Sequence, residues 1–514
     1  MAHTLADQPV LVRLLRRDLT AGEVLAFIIG AMAPLLVTTG VNPTAIGATG
    51  LTNLAIVYVV VAIVLLLFIP GYLAVSRLLP NPGAFYAIAA RGSSRSIALG
   101  AGYVALFAYG ALCIAAFGLW GATVAPQVSS LTGLNVRPWQ AMLVAWVAVL
   151  ALGLLRVKIT GRVVLILLAA EIAFVTVADL VMFAHPFGGH AQWQSWSVSS
   201  LSLSGGHAGA FGAAFCICFL GIVGIEGGGT LFLDSRDGHR TIRRGTIAAA
   251  MVIVALYLAT AWATAWAAGD THLVARAGAE QQNLLFDLAR PYLGPVLTNI
   301  GAVLLDTSVF IGMVSFSTFW SRYAYSMASE GLLPAAMART RPKAGVPAGA
   351  TLTLMGFALA AIVLWAVTGL DPLVTLFFYG GTFGGFGVMV LFTITSVSVI
   401  GFYLRHRRHR QRDSIWVRLI FPGLAAIALT GAVVLAVTHY DLMLGVTADN
   451  PLRVVLPAVF GVILVVCGLV GLTMRIVNRG RYDRIGLGVQ AATGVAERVD
   501  LDDDALTGAG EVAP

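Results

Sequence analysis

The sequence predicts an all-α polytopic membrane protein with twelve transmembrane helices. Three observations predict it. Hydrophobic residues make up 58% of the chain and charged residues only 11%, with a mean hydropathy of +0.88, against roughly 25% charged residues in ordinary soluble domains. The apolar residues fall in runs about as long as the 20 residues that a helix needs to cross a 30 Å hydrocarbon core. The basic residues then sort to one side of the membrane.

The runs lie near residues 21–40, 52–75, 99–124, 139–155, 163–184, 208–233, 246–268, 293–324, 349–369, 373–402, 415–438 and 454–475. With the N terminus placed in the cytoplasm, all but four of the 32 Lys and Arg residues fall on the cytoplasmic side; the exceptions are Arg137, Arg276, Arg290 and Arg453. That asymmetry is expected of an integral plasma (inner) membrane protein with both termini cytoplasmic. The first run follows a polar, basic start without a small-residue cleavage site, so it reads as a retained helix and not a signal peptide.

Five units follow: a cytoplasmic N-terminal segment (1–19), two sets of five helices (20–185 and 207–405), a final helix pair (413–476) and a cytoplasmic tail (477–514). The segment from His185 to Gly206 is rich in Ser, Gly and Trp and is expected outside. Leu284, Leu285, Phe286 and Leu288 predict a short helix over the outer mouth, either a lid or an interfacial helix. From about Ile485 the tail is polar and acidic, has no apolar stripe, and is expected to be disordered.

Composition also excludes function classes. Cys113, Cys216, Cys218 and Cys467 all lie within apolar runs, as small core residues do, and set up neither a disulfide framework nor a zinc site. All nine histidines fall in or beside loops, which argues against an intramembrane haem or di-metal enzyme. No cofactor, no metal and no enzymatic activity are expected. The net charge of +8 follows from topology and does not indicate a nucleic-acid partner.

Two spans are unsuited to be plain helices. The first carries Gly30 and Pro34 at mid-membrane, where proline removes a backbone hydrogen bond and clashes with the preceding turn. The sixth carries Gly221, Gly224, Gly227, Gly228 and Gly229 with Glu226 among them, although a charge at the bilayer centre costs roughly 2.5–3.5 kcal/mol. These spans open the two sets of five. Because five is odd, the second set is inverted relative to the first, and paired broken helices at matching positions point to a transporter binding site. Close packing through small residues explains either helix alone, but the matched pair favours a site.

These residues resemble the amino acid, polyamine and organocation (APC) superfamily of permeases. Phe219 to Glu226 is similar to that family's sixth-helix signature, and Arg240-Thr241-Ile242-Arg243-Arg244 to the cytoplasmic stretch after it. Leu79-Pro80-Asn81-Pro82-Gly83-Ala84-Phe85-Tyr86 resembles the segment between helices two and three, Tyr109 a tyrosine of helix three, and Arg322 to Pro334 the end of helix eight. The resemblance spans roughly residues 20–405 and implies a five-plus-five inverted-repeat (LeuT-like) core with two additional helices, working by alternating access. It places substrate against Ile28, Gly30, Ala31 and Met32 in the first helix, Leu220, Gly221 and Val223 in the sixth, and Tyr109 and Phe316 nearby. The usual Gly-Ser-Gly of the first helix is replaced here by Gly30-Ala31-Met32, so the substrate pose departs from the family pattern.

Three acids lie deep: Glu171, Glu226 and Asp306. Each is a candidate coupling acid or a structural contact. The resemblance assigns Glu226 to bracing the broken helix and puts Glu171 where some members carry a lysine in place of a sodium ion. The hydroxyl pair that sodium-coupled relatives use would fall near Ile311-Gly312, where none stands. The expectation is therefore a secondary transporter of an amino acid or related small amine, coupled to protons or exchanging, with the small-molecule substrate, protons and the lipid bilayer as partners. A polyamine or monoamine permease, or a transporter-like sensor, is the alternative.

Overall fold

The computed structural model describes residues 19–79, 81–191, 193–198, 207–341, 344–406 and 413–488. The expected N-terminal segment, apart from Leu19, and residues 199–206 of the expected outer segment lie outside the described residues. Among the described residues there is no β-sheet, and two isolated bridges join Leu19 to Ser235 and Arg341 to Val346. The helices are α1 (Ala21–Thr49), α2 (Leu54–Ser76), α3 (Ala84–Gly92), α4 (Arg95–Thr132), α5 (Pro138–Gly153), α6 (Val157–Ala184), α7 (Gly209–Phe232) and α8 (His239–Ala268). They continue with α9 (Asp270–Glu280), α10 (Leu284–Ser329), α11 (Ala348–Thr368), α12 (Leu373–Arg405), α13 (Trp416–Thr438), α14 (Tyr440–Leu444), α15 (Leu452–Val477) and α16 (Arg479–Arg484).

Among the described residues, 11 spans are long and apolar enough to cross a membrane. The sequence leads one to expect twelve, and the difference is α5. Its 16 residues rise about 24 Å, short of a core about 30 Å thick. The long central α4 packs against α10, α12 and α15, and α1 packs against α6, α8 and α10. Large apolar side chains on the outer helices face outward, such as Val462, Val465 and Leu469 on α15, as expected of a surface in contact with lipid.

The two spans expected to break do break. α1 opens with a capping box: the Thr20 N–H donates to Glu23 Oε2 at 2.8 Å, and the Glu23 N–H donates back to Thr20 Oγ1 at 3.4 Å. The helix stops at Met32, Ala33 takes a left-handed conformation (φ 44°, ψ 74°), and Pro34 starts a new helical stretch. The interruption therefore sits at the residue before the proline, where proline sterics disfavour the right-handed helical region. Gly30 stays helical, and a Cβ there would lie 2.4 Å from Ile311 Cγ2, so the glycine sets how closely α1 meets α10. In α7 the α-helix ends at Leu220, a turn covers residues 221–224, and a 3₁₀ helix runs Ile225–Asp234. Gly224 has φ 126°, which only glycine adopts without strain.

The outlying segments follow expectation in part. Leu284, Leu285, Phe286 and Leu288 do lie in a short helical stretch, which runs from Leu284 to a kink at Gly294 (φ 76°, ψ 169°) before the long part of α10, and all four are buried. A further short helix, α9, precedes it and packs on Asn42–Thr49. In the tail, α16 and residues 485–488 are folded onto the body; the rest of the acidic tail lies outside the described residues.

Candidate functional site between the broken helices

The end of the bundle where α1 begins and α2 finishes carries most of the arginines and is called here the basic end. It is closed. The Leu19 N–H donates to Asp234 O at 3.0 Å, and the Arg236 N–H donates to Leu19 O at 2.9 Å, so the chain entering α1 is stitched to the end of the broken α7 stretch. Arg322 of α10 donates Nε and Nη2 to Asp234 Oδ2 at 2.9 and 2.8 Å, and Nη1 to Thr318 O. Both partners of this pair are largely shielded from solvent.

Above this closure a cavity of about 130 Å³ lies between the two breaks. Met32, Leu36 and Val37 of α1, Leu220 and Gly221 of α7, and Phe316 of α10 line it, together with Leu112, Phe377, Phe378 and Met443. None of its lining residues is charged, and Thr44 and Thr382 supply the side-chain hydroxyls. A second space of about 310 Å³ shares Gly40, Thr44, Phe378 and Met443 with it and extends towards the opposite end, past Gly47, Ala48, Gln281 and Gly445, which are exposed. Those shared residues stand between the cavity and the end opposite the closed one.

The polar groups of the cavity region come chiefly from backbone. The Ala33 N–H donates to Ile29 O and Gly30 O, and its carbonyl accepts from Val37. Leu35 and Leu36, in the first turn of the new stretch, have N–H groups with no intrahelical partner. In α7 the Val223 N–H donates to Leu220 O at 3.3 Å, whereas the carbonyls of Gly221 and Val223 accept no backbone hydrogen bond among the described residues. Free N–H groups at a helix start attract an anion, and free carbonyls attract a cation. The two breaks touch: a Cβ on Gly224 would lie 2.6 Å from Ala31 Cβ and 3.3 Å from Ile28 O.

Of the residues singled out in the sequence, Ala31, Met32, Leu220, Gly221 and Phe316 line the cavity. Ile28, Gly30, Tyr109 and Val223 are outside its lining. Tyr109 stacks on Phe316 with ring centroids 6.3 Å apart and donates to Glu226 Oε1 at 2.6 Å. Glu226 Oε2 accepts from the Gly224 N–H at 3.0 Å, and Tyr72 donates to the Glu226 carbonyl at 2.8 Å. The Glu226 carboxylate is thereby occupied with holding its own helix break. Asp306 accepts from Thr123 at 2.7 Å on the α4–α10 seam.

Glu171 is fully buried on α6. Its Oε1 accepts from Thr307 at 3.4 Å, and Oε2 makes no hydrogen bond. Tyr257 of α8 donates to Met32 O at 2.8 Å, at the cavity wall.

Tyr257, Phe377 and Phe378 carry no signal in the sequence, since an aromatic in an apolar span bears no mark of what it faces. Asp234 and Arg322 are visible there only as charges near span ends; their pairing is a tertiary contact between residues far apart in the chain.

The family profile for amino acid permeases matches residues 23–485. The chain belongs to that family. No curated protein matches the sequence. Among solved structures, one variant of the Eremococcus coleocola manganese transporter superposes with a TM-score of 0.55 at 15% identity, covering 91% of this chain and 95% of that one. A second variant gives 0.53 at 16% identity with the same coverage. The same transporter, in complex with an aromatic bis-isothiourea substituted compound, gives 0.51 at 15% identity, again with the same coverage. At such identities the likeness shows a shared fold. The permease is thus an integral membrane transporter of that fold and not an enzyme.

Proposed function

We propose that this permease is a secondary transporter that moves an amino acid or a closely related small amine with an apolar body, by alternating access between the two ends of the bundle. The observation that carries this reading is the cavity between two helix breaks: an uncharged, largely apolar lining beside unpaired backbone N–H and C=O groups. Such a site accepts a zwitterionic head at the backbone and a hydrophobic side chain against Met32, Leu36 and Phe316. A charged side chain would be desolvated there without a partner, at a cost of several kcal/mol. The one-sided arginines support a cytoplasmic basic end, which makes the arrangement outward-facing.

Coupling is proposed through protons carried by Glu171. Glu171 and Asp306 are absent from the cavity lining, which weakens the polyamine reading.

In proteoliposomes with a pH gradient, leucine or phenylalanine is expected to be taken up, and lysine or glutamate to compete roughly tenfold more weakly or worse. Phe316→Ala removes an aromatic wall worth about 1.5–3 kcal/mol when fully covered, so affinity should fall roughly tenfold or more. Equal competition by charged amino acids would overturn the apolar assignment. Stabilisation of the purified protein against heat by an amine, with none by any amino acid, would turn the reading to an amine permease.

A further inference from the structure

The described chain does not end with its last long helix. After α15, Asn478 caps α16 by accepting from the Arg481 N–H at 3.0 Å, and residues 485–488 then run into a groove on the basic end.

Ile485 is buried, and Gly486 and Gly488 both take positive φ (84° and 61°). The Gly486 N–H donates to Glu330 Oε2 and to Tyr86 Oη, each at 3.0 Å, and the Gly488 N–H donates to Glu330 Oε1. Tyr86 also donates its hydroxyl to Glu330 Oε2. Asn81 donates Nδ2 to Gly486 O at 3.0 Å, while its Oδ1 accepts from the Gly83 N–H at 2.8 Å and from Ser326 Oγ at 2.9 Å. An ion pair between Arg95 and Asp483, with the Arg95 guanidinium 5.6 Å from the Tyr482 ring centroid, anchors α16 beside the groove.

The groove is thus built from three elements: the turn before α3 (Asn81), α3 itself (Tyr86) and the end of α10 (Glu330). Burial pushes the Glu330 carboxyl up to about 7, and its hydrogen bonds to Tyr86, Gly488 and Gly486 pull the other way. Without residues 485–488, two of the donors to this carboxylate would be missing, and a buried carboxylate short of donors is costly. α3 in turn abuts the broken α7 stretch, since a Cβ on Gly229 would lie 3.0 Å from Ala84 Cβ.

We propose that residues 485–488 are a releasable strap, docked on Glu330, Tyr86 and Asn81, that holds the basic end closed. Its docking is independent of what the protein transports; its consequence for opening rests on the alternating-access reading.

The test uses Gly486→Val in the full chain. The added side chain begins with a Cβ 2.3 Å from Ala90 Cβ and strains a positive φ, so it expels the strap without altering the groove's polar residues. Two readouts need no substrate: trypsin cleavage after Arg484, and labelling by a membrane-impermeant maleimide of Ser321→Cys, a buried position beside Arg322 at the basic end. The chain without Ser321→Cys supplies the labelling background from its native cysteines. Both rates are expected to rise about five- to tenfold in Gly486→Val, as local opening becomes easier, and a chain truncated after Arg484 should show the same faster labelling. Unchanged cleavage would overturn the docking. Faster cleavage with unchanged labelling would overturn the restraint on opening. Failure to transport any amino acid would count against the proposed function and leave both readouts to decide the strap.

Discussion

Glu171→Gln is expected to reduce pH-gradient-driven uptake to the level seen without a gradient, while purified protein still binds substrate. The substitution keeps the size and shape of the side chain and removes only its ability to exchange a proton. Glu171 suits that task by position: it is fully buried, its Oε2 makes no hydrogen bond, and no ion pair reaches it among the described residues. Its neighbour on α10, Thr307, donates to Oε1 at 3.4 Å, so the carboxyl sits at the packed seam of α6 and α10. Uptake measured against imposed pH gradients, with binding followed by thermal stabilisation, checks the prediction. An unaltered pH dependence would remove Glu171 from the mechanism.

Asp234→Ala is expected to destabilise the closed basic end strongly. It leaves Arg322 shielded from water with one acceptor, the Thr318 carbonyl, in place of its carboxylate partner. Removing one partner of a buried ion pair costs about 3–5 kcal/mol, whereas replacing both partners by apolar residues is often neutral. The single variant should therefore melt well below the parent, and Asp234→Ala combined with Arg322→Met should recover most of the loss. Equal melting of the single and double variants would show that the unpaired charge is not the cause.

Much of the fold is legible in the sequence because a membrane restricts the choices. Long apolar runs must be helices, and arginines mark one side. The same logic locates the two interruptions, since Pro34 and the glycines of residues 221–229 are poor helix formers wherever they stand. The site is less legible. Sequence reasoning counts Gly30 in the first break, yet it remains helical and serves the contact with α10, while the break falls at Ala33. It places Tyr109 with substrate, whereas the hydroxyl meets Glu226. It makes residues 485–488 the start of a disordered tail, but they are bonded to Glu330.

By itself, then, the sequence determined the helical membrane class, the sidedness of charge and the two weak points in α1 and α7, because backbone propensity and hydropathy act locally. Only the tertiary structure decided which side chains face the cavity, that Asp234 meets Arg322, and that the chain's last described residues complete the cradle around Glu330. Those outcomes depend on the packing of helices distant in sequence, where partner identity is set by geometry and leaves no local signature.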